Sequence, residues 1–255
     1  MKSPVVVIGI GEMGSVFTRA FLRLGHPVYP VTRDTNINEL ANEIPDPELV
    51  LVAVAEADLQ STLKIIPDTW HKHIALLQNE LLPKDWLPYN FENPTVISVW
   101  FEKKKGQDSK VLIPSPCFGP KASLLVDALA TLDIPAQDVG TLENMEEELL
   151  IKNVYILTTN ISGLVTRGNV EDLWNNHNEL AREVANEVMD IQAALVGHDL
   201  DREKLIVGFK KGIDGDLQHM CMGRSAPARL QRALEIADRD GLDVPKLREI
   251  HKQSS

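Results

Sequence analysis

Two constellations in this chain carry residue types and spacings that can do chemistry. The first is VVVIGIGEMGS, Val5 to Ser15, in which four β-branched residues run into Gly9, Gly11 and Gly14. The second is EELLIKNVYILTTNISGLVTR, in which Lys152 is the last charge before a neutral run and shares a helical face with Ile156 and Asn160. Glycines at this spacing let a backbone approach a phosphate group closely, and a lysine entering an apolar helix is a proton donor or a paired structural charge.

The glycines gain meaning from their flanks. Val5 to Ile8 form a dense aliphatic run expected to be a strand buried on both faces, and SVFTRAFLRLG places Phe17, Phe21 and Leu24 at helical spacing with Gly25 as a C-cap. A GxGxxG motif between a strand and a helix is the dinucleotide-binding fingerprint: Gly9 for the tight turn, Gly11 for the pyrophosphate, Gly14 for helix–strand packing. Ile10, Glu12 and Met13 complete the loop and the start of the helix, whose free N–H groups favour phosphate. A glycine-rich turn in an ordinary α/β protein is the plainer alternative.

The end of the second strand discriminates between dinucleotides. It reads Val31-Thr32-Arg33-Asp34, and a hydroxyl followed by a guanidinium suits a 2′-phosphate, which favours NADP(H) over NAD. A surface Arg33 paired with Asp34 is the alternative. For Lys152, donation to a carbonyl oxygen during hydride transfer competes with a lysine snorkelling from the wet end of its helix or pairing with Glu148.

These sites need a scaffold. Further strands are expected at about Pro27 to Thr32, at ELVLVAVAE ending near Val54, and at HIALLQNE, PTVISVWFE and KVLIPSPCF; a helix is expected at ADLQSTLKIIP. Pro30 marks the second strand as an edge or a bulge. From Gly140 onward the pattern turns helical, at about Leu142 to Arg167, Val170 to Val196, Asp201 to Lys211 and Ala226 to Asp240, with HKQSS frayed. The fold class is α/β, an N-terminal doubly wound parallel Rossmann sheet over residues 1–141 followed by an all-α domain over 142–255.

Composition narrows the partners. There are 26 basic and 37 acidic residues, a formal net charge of -11, and no basic block longer than Lys103 to Lys105, which argues against nucleic acid or an anionic membrane. Cys117 and Cys221 form no short metal or redox motif, and the N-terminal run lacks a cleavage-like site, so a cytoplasmic protein is expected. Asn153 to Thr166 is too short and too rich in Asn and Thr to span a bilayer. His71 and His73 are expected in a surface turn, and the His219 to Met222 cluster in core packing; no metal site is expected. Arg224 and Arg229 flank a helix start and suit either a substrate carboxylate or solvent.

GIGEMGSVFTRAFLRLGHPVYPVTR resembles the opening of ketopantoate reductases, within the wider β-hydroxyacid and 6-phosphogluconate dehydrogenase-like group. The resemblance covers nearly the whole chain, including GLDVP near its end. It implies Arg33 on the 2′-phosphate, Asn79 of LLQN beside the nicotinamide and substrate, Lys152 as general acid, and Asn160 as a substrate contact in a cleft between the domains. Ile156, Ala55 and Pro227 stand where that family has an asparagine, a lysine and a glutamate, so ketopantoate itself is not expected as the substrate. The expected activity is NADPH-dependent reduction of a small keto acid or related carbonyl, with homodimerisation by analogy of fold. A non-catalytic NADP-binding redox sensor is the alternative. Imine reduction, as in pyrroline carboxylate reductases with a similar glycine motif, ranks lower because their late Ser/Thr/Gly-rich motif is missing.

Overall fold

The computed structural model describes residues 2–254. It separates into two compact units, Met1–Leu149 and Leu150–Ser255. In the first, β1 (Val5–Ile8) leads into α1 (Glu12–Leu24), followed by β2 (Val28–Val31), α2 (Ile37–Glu43), β3 (Leu49–Val52), α3 (Leu59–Leu63), β4 (Ile74–Leu76) and β5 (Thr95–Ile97). A short hairpin, β6 (Phe101–Glu102) with β7 (Lys110–Val111), precedes β8 (Ser115–Phe118), α4 (Ala122–Ala130) and β9 (Ala136–Asp138).

The main sheet has seven strands in the order β2-β1-β3-β4-β5-β8-β9. Neighbours from β2 to β5 are parallel, β8 runs antiparallel to β5, and β9 is parallel to β8. Two segments read as single strands divide. PTVISVWFE supplies β5 and then β6, and KVLIPSPCF supplies β7 and then β8, with Pro114 between them. Proline has no N–H for a ladder, so a continuous strand is interrupted there.

Strand periodicity assigns the core. Val5, Val7, Leu49, Leu51, Ala75 and Ile97 point to one face, where Phe17 and Phe21 of α1 and Leu125 and Leu129 of α4 cover them. All four residues of β1 are buried, as a strand covered on both faces requires. Burial of such aliphatic and aromatic side chains contributes about 1.5–3 kcal/mol apiece. Helix α1 stops at Gly25 in the left-handed conformation, φ 93°, whose N–H returns to the Leu22 carbonyl.

The division between units falls inside α5 (Leu142–Thr166). Beyond it lie α6 (Val170–Asn176), α7 (Asn178–Val196), α8 (Arg202–Gly215), α9 (Ala226–Asp240) and α10 (Pro245–Ser254). The helix expected over Val170 to Val196 breaks at His177, whose backbone, φ -129° and ψ 32°, leaves the helical region. Instead of fraying, His251 to Ser254 continue α10; Ser255 lies outside the described residues. Helix α10 starts on a side chain from another helix, since the Glu187 carboxylate accepts the Lys246 and Leu247 N–H groups at 2.8 and 2.9 Å. By length and composition α5 can cross a bilayer, yet 72% of its most apolar window is buried within the protein, the signature of a core helix.

Candidate functional site

The glycine loop is built by sterics. Gly9 sits at φ 93°, a conformation that penalises any side chain, and its N–H donates to the Val31 carbonyl at 3.0 Å. A Cβ on Gly14 would stand 2.0 Å from the Gly9 carbonyl oxygen, so only glycine lets α1 leave the strand at this angle. A Cβ on Gly11 meets nothing within 4 Å. That open space lies at the start of α1, where Gly11 supplies no capping side chain and the first amides are the orphan donors of a helix N-terminus.

This loop borders a groove of about 540 Å³ at the C-terminal ends of β1, β2 and β3. Gly9, Ile10 and Gly11 line it from the first strand, Thr32, Arg33 and Thr35 from the second, and Ala53, Val54 and Ala55 from the third; Asp58, Ser61 and Thr62 close it below. Here the chain order reverses direction across the sheet, the position at which doubly wound sheets bind ligands. Thr35 Oγ1 accepts the Thr32 N–H at 2.9 Å and lies 3.2 Å from Thr32 Oγ1, fixing the turn that carries Arg33. Arg33 is exposed, and among the described residues no ion pair with Asp34 engages it. The open Gly11 backbone, the uncapped helix start and a guanidinium on the same groove fit a phosphorylated dinucleotide.

Other expected loop residues have different surroundings. Glu12 opens α1 with the Lys103 ammonium 3.8 Å from its carboxylate, and neither it nor Met13 nor Gly14 lines the groove. Asn79 also lies outside the lining; its amide donates to the Glu56 carboxylate at 3.0 Å. Its neighbour Gln78 is buried and donates to the Val52 carbonyl at 2.7 Å, tying the end of β4 to β3.

In the helical unit, Lys152, Ile156 and Asn160 follow one face of α5. Asn160 is buried between two partners: its amide donates to the Cys221 carbonyl at 3.1 Å, and its side-chain oxygen accepts from the Arg229 guanidinium at 2.8 Å. Burial, and after it the positive charge of Arg229, hold the Lys152 ammonium down at about 7, against an ordinary 10.5. The Lys152 Nζ stands 5.9 Å from the centre of the Tyr155 ring, and the Tyr155 hydroxyl pairs with His219 Nδ1 at 2.7 Å. One turn further along α5 the same segment packs closely: a Cβ on Gly163 would lie 2.9 Å from the Cβ atoms of Cys221 and Met222. Burial pushes the Cys221 thiol up to about 12, which leaves it inert as a nucleophile.

Of the two arginines flanking the start of α9, Arg229 is the buried one and Arg224 is exposed. Arg229 lies on the buried stripe of α9 with Ala226, Leu230, Ala233 and Ala237 and is itself only 6% exposed. A charge occupying an apolar helical position was the available signal. Pro227 lies in the first turn of that helix, where a missing N–H costs nothing. Among the described residues no group of three or more His, Cys, Asp or Glu is placed to hold a metal; His73 pairs with Asp46 at 3.0 Å.

No protein-family model matches this chain, and no curated protein does. Solved structures do. A PanE/ApbA family ketopantoate reductase from Ralstonia eutropha superposes with a TM-score of 0.68 at 17% identity, covering 98% of this chain and 97% of its own. A dimeric ketopantoate reductase from Staphylococcus aureus gives 0.65 at 15%, covering 98% and 97%. D-mandelate dehydrogenase, in a ternary structure with NADH and anilino(oxo)acetate, gives 0.66 at 13%, covering 98% and 96%. The chain has the ketopantoate reductase-like fold, a Rossmann unit followed by an all-helical one.

Proposed function

We propose that this protein is an NADP(H)-dependent oxidoreductase that interconverts a small keto acid and its hydroxy acid. The observation that carries the reading is the groove on which the open Gly11 backbone, the uncapped start of α1 and the Arg33 guanidinium meet. When bound, the dinucleotide supplies or accepts the hydride. The Gly9 to Gly14 loop receives its pyrophosphate, and Thr32 with Arg33 receives the 2′-phosphate. The nicotinamide cofactor and keto-acid chemistry also draw support from the neighbours of the same fold, named as ketopantoate reductases and as a mandelate dehydrogenase with NADH.

Lys152 donates a proton to the carbonyl oxygen as the carbon is reduced and takes it back in the reverse direction. A group titrating near neutrality holds both forms in comparable amounts and serves both directions. Asn79 and Asn160 are the residues assigned to orienting the substrate. A cytoplasmic homodimer completes the reading.

The test is Lys152→Ala against a panel of 2-keto acids, followed by NADPH absorbance. A loss of about 10²-fold or more with NADPH affinity unchanged is the expected result. A loss below about tenfold removes the proton-donor role. NADPH binding without turnover on any carbonyl favours the redox-sensing alternative, for which Ile156 and Pro227 speak because the polar groups of the resembling family are absent there.

A further inference from the structure

We infer that Lys103, in the turn of the β6–β7 hairpin, is a phosphate ligand of the bound dinucleotide, and that the Glu12 carboxylate holds the phosphate's place until the dinucleotide arrives. The inference rests on the reading of the glycine groove as a dinucleotide site. The hairpin is seated against α1 through Phe101, whose ring stands 6.2 Å from that of Phe17 in the buried core. That packing brings Lys103 to the first residue of α1, with its ammonium 3.8 Å from the Glu12 carboxylate. The ammonium also donates to the carbonyls of Lys104, at 3.0 Å, and of Gln107. Its side chain is thus folded back onto its own turn, only 18% exposed, while that of Lys104 beside it is 57% exposed.

Glu12 follows Gly11 directly, and the helix start they share is the end of the groove that receives the pyrophosphate. The helix dipole favours a carboxylate there as long as no other anion is present. A doubly charged pyrophosphate meets that carboxylate as a like charge, in a protein whose formal net charge is already -11. A cation resting on the carboxylate removes the conflict. Lysine is a compact charge with three donors on a flexible stem, so by rotation of that stem the ammonium exchanges Glu12 for a phosphate oxygen. Arg33 stands at the end of β2, beside the 2′-phosphate that only one dinucleotide carries; Lys103 comes from another element and meets a group that both carry. The two cations therefore have separable signatures. Arg33 sets the preference between dinucleotides, and Lys103 sets the affinity for both.

The test is a fluorescence titration of the full protein with NADPH and with NADH, at low and at high salt. Lys103→Gln, which keeps a donor for the turn carbonyls, is expected to weaken both by about tenfold at low salt and by less at high salt. Lys103→Arg keeps the charge and is expected to stay within about threefold of wild type. In a Glu12→Gln background Lys103→Gln is expected to cost at least the same factor, because the phosphate is the partner in the complex. No loss in Lys103→Gln, a loss with NADPH alone, an equal loss in Lys103→Arg, or a loss that vanishes without Glu12 overturns the inference. Failure of wild type to bind either dinucleotide removes the reading of the groove along with it. Binding that depends on Lys103 without hydride transfer keeps this inference and loses the catalytic reading, and turnover by a protein indifferent to Lys103 does the reverse.

Discussion

The glycine loop and the Lys152 cluster build their sites by opposite means. In the Rossmann unit nearly everything depends on backbone: Gly9 holds a positive φ, Gly14 permits a contact no side chain survives, and Gly11 leaves space. Those constraints are local, within a few residues, and a sequence motif records them. In the helical unit the site is made of side chains from α5 and α9 that are 69 positions apart, Asn160 and Arg229, together with the backbone at Cys221. Steric rules of one loop are legible in one loop, whereas a cluster assembled from distant helices is legible only in three dimensions.

The largest effect that tests this contrast comes from Gly14→Val. With the first added carbon 2.0 Å from the Gly9 oxygen, dinucleotide binding should fall by more than about 100-fold and the thermal midpoint should drop. Gly11→Ala meets no atom and should unfold like wild type, within about 0.5 kcal/mol, while still weakening NADPH binding. If Gly11→Ala binds NADPH as well as wild type does, the loop serves only the turn.

The next effect is that of pH on the helical unit. With Lys152 as the proposed proton donor, the rate of carbonyl reduction should be flat below pH 7 and fall about tenfold per unit well above it, with oxidation rising over the same interval. Stability carries the complementary sign. The lysine pKa is lowered on folding from 10.5 to about 7, so between these values the unfolded chain holds more protons and stability rises with pH. Lys152→Met should therefore gain most over wild type at or below pH 7 and lose that advantage toward pH 10.5, as measured by denaturant unfolding. A gain independent of pH would mean that the site does not disfavour the ammonium. The smallest effect is Arg33→Ala, expected to erase a roughly tenfold preference for NADPH over NADH and to leave NADH affinity unchanged. Equal loss with both dinucleotides would assign Arg33 to packing.

Much of the Rossmann unit was readable because β-branched runs and helical apolar spacing are strong local signals, as in β1 and α1. Helix α9 spans Ala226–Asp240, the bounds expected from sequence. What escaped was short or tertiary. Helix α2 has only 7 residues and depends on Asn36, whose side chain accepts from the Asn38 and Glu39 N–H groups. Strand β9, Ala136–Asp138, has no β-branched residue and exists because β8 offers an edge. Helix α10 begins on the carboxylate of Glu187, more than 50 positions away, a partner no local pattern announces. In the helical unit, Lys152 stood out as a charge entering an apolar run, while sequence left Arg229 open between a carboxylate and solvent, and only the fold shows it buried against Asn160.

Pro30 has a further consequence at the rim of the sheet. The carbonyls of Pro27 and Val31 accept from Val5 and Gly9 of β1, so odd-numbered positions of β2 face inward and Pro30 faces out. The outer edge therefore lacks a donor in the middle of its only exposed row. A second chain trying to add a strand there meets a pyrrolidine ring instead of an N–H, which protects this edge against self-association into extended aggregates.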